Sequence, residues 1–120
     1  MDIKNAIVNV NKLANEISDK AVEVNTWGDA YHTASRIARN AVKHSITFVL
    51  WNKNEFGYMK ASNMADGVMM VSSSIDDVVS RLMSLVFDGI SKHEFFTNVN
   101  LEVRAWFVEN WKDESQWLTK

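Results

Sequence analysis

Apolar residues advance along residues 3 to 24 by steps of three and four: Ile3, Ala6, Ile7, Val10, Leu13, Ala14, Ile17, Ala21 and Val24. That period is the signature of an amphipathic helix, and Asp2 is placed to cap its first N–H groups. Several of these positions also fit a coiled-coil frame, but Lys20 interrupts it, so packing within the domain is the simpler expectation and self-association the alternative. Thr26 followed by Asp29 has the form of a capping box, and Trp27, Ala30, Tyr31, Ala34, Ile37, Ala38 and Ala41 then predict the core face of a second helix.

From Ser45 the composition changes. ITFVLW (46–51) is β-branched and aromatic, NKNEFG is a polar turn ending at Gly57, and YMKAS resumes an apolar run, which together predict a hairpin. GVMMVS (67–72) is expected to add a third strand. Ser74 with Asp77, and Ser91 with Glu94, then mark the starts of two further helices. The first carries Ile75, Val78, Val79, Leu82, Leu85 and Val86 and ends near Gly89; the second carries Phe95, Phe96, Val99, Val103, Trp106 and Phe107. NVNLEVRA (98–105) alternates as a strand would, but helical spacing continues on both sides of it, and a helix is preferred. The expected fold is therefore α+β, a three-stranded antiparallel sheet with about four helices in the order α-α-β-β-β-α-α. Residues 1–120 are read as a single domain with a polar tail at 112–120.

Composition is that of a folded domain: 47% hydrophobic and 23% charged residues, with a formal charge of −2. A net negative chain is not wholly committed to nucleic acid, although a local basic patch remains open. Without cysteine there is no disulfide, thiolate metal site or cysteine nucleophile. The start of the chain lacks the apolar run of a signal peptide or membrane span, so a cytoplasmic location is expected, the host's if the protein is viral. Abundant asparagine, absent proline and the lack of a family motif are compatible with a phage or mobile-element accessory protein.

Candidate chemistry is sparse. His32, His44 and His93 do not have the spacing of metal ligands, and the glycines at 28, 57, 67 and 89 are too scattered for a phosphate-cradling loop. No metal, cofactor or catalytic residue is assigned. Ser72, Ser73 and Ser74 read as helix-capping residues, and Asp76 and Asp77 as first-turn acids. Two features stand out. HTASRIARNAVKH (32–44) stacks His32, Arg36, Arg39 and Lys43 along one helix face. Of the five tryptophans, Trp27 and Trp106 fall on core faces, whereas Trp51, Trp111 and Trp117 lie in polar surroundings, as interface anchors often do.

The α-β-β-β-α order expected over residues 26–88 is similar to that of a double-stranded-RNA-binding domain. The likeness is one of topology alone, because the helix that clamps phosphates with lysines in that family begins SSSIDDVV in this chain. The favoured expectation is a small non-enzymatic protein-binding module, an adaptor, subunit or inhibitor. Arg36, Arg39, Lys43, His32, Trp51, Trp111 and Trp117 would form its contacts, and an acidic protein face would be its partner. Nucleic-acid binding through the basic stripe is the alternative, an enzyme with a dispersed site the third, and a homodimer is open.

Overall fold

A computed structural model describes residues 2–18, 21–54 and 57–110, without the side chains of residues 53 and 54. Among the described residues the fold is all-α: α1 (Ile3–Ile17), α2 (Trp27–Asn54), α3 (Tyr58–Val71), α4 (Ser73–Phe87) and α5 (Lys92–Asn110). The expected three-stranded sheet is absent among them, and with it the α+β class and the likeness to a double-stranded-RNA-binding domain.

All three expected strands lie in helices, for a reason visible in burial. Ala30, Ala34, Ala38, Val42, Ile46 and Leu50 are fully buried at steps of four, so one helical face runs through the presumed change of period. Helix formation by Ile46, Thr47 and Val49 costs at most about 0.7 kcal/mol each in propensity. Burying a side chain such as Ile46 or Leu50 returns about 1.5–3 kcal/mol, so burial decides the outcome. The Thr47 hydroxyl, also buried, donates to the Lys43 carbonyl one turn back at 2.8 Å, leaving no polar group to oppose the helix. Within α3, Ala61, Ala65, Val68 and Met69 form a helical buried stripe, in which the alanines and Met69 are good helix formers.

The central element is α2, which at 28 residues is about 42 Å long and packs on each of the other helices. Alanines fill the first half of its core face. Larger Ile46 and Leu50 fill the second, and α3 folds back beside this part of the helix.

Helix α1 stops at Ile17 rather than continuing to Val24. The Ser18 N–H closes the last turn on Ala14, and residues 21–25 run without helix. Two side-chain amides tie this segment to α1. Asn11 accepts from the Val24 N–H and donates to the Val24 carbonyl, while Asn15 does the same for Val22 at 2.8 and 2.9 Å. Four residues of helix rise about 6.0 Å and two residues of extended chain about 6.6 Å, so amides at i and i+4 can meet alternate residues of the segment. Val24 still reaches the core, though not as part of a helix.

Three of the expected N-caps agree with their sequence patterns, whereas the Ser74–Asp77 box does not form: α4 already begins at Ser73, its N-cap Ser72 makes no side-chain capping bond, and the Ser74 hydroxyl serves Trp106 instead. Asp2 accepts from the Lys4 and Asn5 N–H groups, the Thr26 hydroxyl from Asp29 at 3.1 Å, and the Ser91 hydroxyl from Glu94 at 3.2 Å. Gly89 ends α4 with φ +89°, donating to Val86 while Ile90 donates to Leu85, the paired bonds of a Schellman cap. Trp106 is buried as expected, and its indole N–H donates to the Ser74 hydroxyl at 2.6 Å. Trp27 is half-buried, and Tyr31, expected in the core, is exposed.

Candidate protein-docking surface

The basic stripe does not survive as one surface. Lys43 pairs with Asp66 of α3 at 2.9 Å and Arg39 with Asp76 of α4 at 3.1 Å, so both cations are turned toward acids of their own chain. These pairs are solvent-exposed and contribute little to stability, about 0–1 kcal/mol each. Asp76 thus has a cationic partner as well as its place in the first turn of α4. His32 and Arg36 are exposed and have no ion-pair partner among the described residues.

Arg36 instead joins Asn40 and His44, at successive steps of four, in lining a groove of about 500 Å³. The other walls come from the end of α1, from Ser18 and Val22, and from Phe96 of α5. His44 was not among the predicted contacts, although its spacing from Arg36 was readable. What the sequence did not carry was the arrival of α5 beside that row.

Trp51 is 42% exposed, and the structure supplies neighbours for it that the sequence did not single out. Its ring centroid lies 6.2 Å from Phe48 and 5.6 Å from Tyr58, both in edge-on arrangements. Phe48 and Tyr58 are themselves half or more exposed, and the adjoining Met59 is 79% exposed. The rings thus gather where the end of α2 meets the start of α3; residues 55–56, which join those helices, lie outside the described residues. Edge-to-face contacts fix the rings against one another and leave their outer surfaces to solvent. The sequence pattern predicts Phe48 within one strand and Tyr58 at the start of the next, so the meeting of these rings with Trp51 follows from the helical fold and not from that pattern. Trp111 and Trp117 lie outside the described residues.

A second charged cleft separates α4 from α5. Arg81 meets Glu102 through Nε at 3.0 Å and Nη2 at 2.7 Å, with Asp77 and Glu109 also lining the cleft. The hydrogen bonds to Glu102 raise the affinity of the Arg81 guanidinium for its proton, an effect that desolvation opposes and the surrounding carboxylates reinforce. Among the described residues no group of three or more His, Cys, Asp or Glu side chains converges to hold a metal ion. No described helix is long and apolar enough to cross a membrane. Comparison with protein-family models, curated proteins and solved structures returns no match.

Proposed function

We propose that this chain is a small non-enzymatic protein-binding module, of the adaptor, subunit or inhibitor kind, that docks through the aromatic elbow between α2 and α3. The observation that carries the reading is the exposed, mutually braced cluster of Phe48, Trp51 and Tyr58. Large rings that are already held in place lose little freedom on binding, and such residues dominate interface energetics when a partner removes them from water. The partner that fits presents a concave apolar pocket for the Trp51 indole. Engagement of Arg39 and Lys43 with Asp76 and Asp66 weighs against laying the same helix face along a phosphate backbone.

The test is comparative affinity capture from host lysate with the native chain, a Trp51→Ala variant and a Val108→Ser control at an exposed apolar site on α5. A polypeptide retained by the native chain and the control but lost with Trp51→Ala supports the reading, and the loss in affinity is expected to be about 2 kcal/mol or more. Identical captured sets from all three would overturn it.

A further inference from the structure

The groove beside α2 differs in character from the aromatic elbow. Its floor is apolar, formed with Ile37, Val22 and Phe96, and its rim carries Arg36 and His44. Phe96 also belongs to an adjoining depression lined by Lys92 and His93, so the two hollows meet at this ring and together make up a trough. Among the described residues no Asp or Glu lines either hollow, in a chain whose formal charge is −2. Arg36, His44 and His93 have no ion-pair partner among the described residues, and Lys92 reaches only the Glu16 backbone carbonyl, at 3.4 Å. Arg36 and Lys92 thus flank a surface with no carboxylate among the described residues, in contrast to Arg39 and Lys43, each held by its own acid.

We infer that this trough binds an acidic peptide segment carrying an apolar anchor residue. The apolar floor takes the anchor, and the flanking carboxylates meet Arg36 and Lys92. A peptide suits the site better than a small molecule, because both hollows are open to solvent, whereas small-molecule pockets enclose most of their ligand. From Lys92 to Asn100 the α5 wall rises about 12 Å, the reach of about four extended residues. The inference is independent of the aromatic elbow, since it uses other residues of α2 and a different helix partner.

Fluorescence anisotropy with a labelled Glu-Asp-Leu-Phe-Asp-Glu peptide tests it on the full chain, with hexaglutamate and a short duplex RNA as competitors. The expected result is saturable binding that weakens with salt and falls about tenfold or more in an Arg36→Glu, Lys92→Glu variant, while Trp51→Ala leaves it unchanged. Both substituted positions are exposed, and circular dichroism establishes that the variant keeps its helices. Equal binding by the charge-reversed variant overturns the inference, as does failure of the peptide to saturate. Competition by hexaglutamate or RNA as strong as by the unlabelled peptide also overturns it, because charge alone would then suffice. Loss of peptide binding in Trp51→Ala would move the ligand to the elbow and overturn the trough assignment, without touching the capture result.

Discussion

Asparagines on α1 take the place of main-chain partners, and their effects are separable residue by residue. Asn9 donates to the Phe87 carbonyl at 2.8 Å, satisfying an acceptor at the end of α4 that has no helical donor. The same amide packs against Gly89, where an added Cβ would stand 3.1 Å from three of its atoms. Gly89→Ala therefore combines a left-handed backbone position with crowding, and is expected to cost about 1–2 kcal/mol in urea unfolding. Removing the obstacle should recover part of that loss: the Asn9→Ala, Gly89→Ala double variant is expected to be more stable than the sum of the single effects predicts. Asn15→Asp keeps an acceptor for the Val22 N–H but loses the donor to the Val22 carbonyl. Hydrogen exchange at residues 22–24 should accelerate in that variant while the core helices keep their protection, because the segment opens locally. The role of Asn11 and Asn15 was not legible beforehand; a polar face at steps of four reads as solvent-facing until the chain is known to turn back over it.

At the level of elements, the region 46–51 separates two physical readings by substitution. A strand would place Ile46, Phe48 and Leu50 on one face with similar sensitivity. The helix buries Ile46 and Leu50 and leaves Phe48 60% exposed. Ile46→Ala and Leu50→Ala are expected to cost about 2–5 kcal/mol each, and Phe48→Ser, which loses only its edge contact with Trp51, no more than about 1.5 kcal/mol, as measured by chemical denaturation. Comparable losses at all three positions would contradict the helix. Local propensity suggested the strand, since β-branched and aromatic residues cluster there. The competing signal was the step of four continuing from Ala34 through Ala38 and Val42, which is a property of the whole of α2 rather than of a six-residue window. Where apolar periodicity and a cap coincided, as at Asp2, Thr26 and Ser91, the helix starts were legible. The helical reading of residues 98–105 also agrees with the structure, because its buried residues continue the spacing of the flanking turns.

For the whole molecule, the far-UV circular dichroism spectrum is expected to be that of a helical protein, with its minimum at about 222 nm lost in one cooperative transition. A strand-dominated spectrum would refute the architecture. The exposed pairs Arg39–Asp76 and Lys43–Asp66 should show coupling of no more than about 1 kcal/mol in double-mutant cycles, diminishing with salt. Partner binding, by contrast, should respond to Trp51, since desolvating an exposed ring matters more than a screened ion pair. The sequence by itself determined the amphipathic faces, most of the caps and the lack of metal-ligand spacing, because these depend on residues within a turn or two of one another. Tertiary structure decided that the middle of the chain is helical, that Arg39 and Lys43 face their own acids, and that Phe48, Trp51 and Tyr58 meet. Those outcomes depend on which distant faces α2 buries and on where α3, α4 and α5 return to it, which no local pattern specifies.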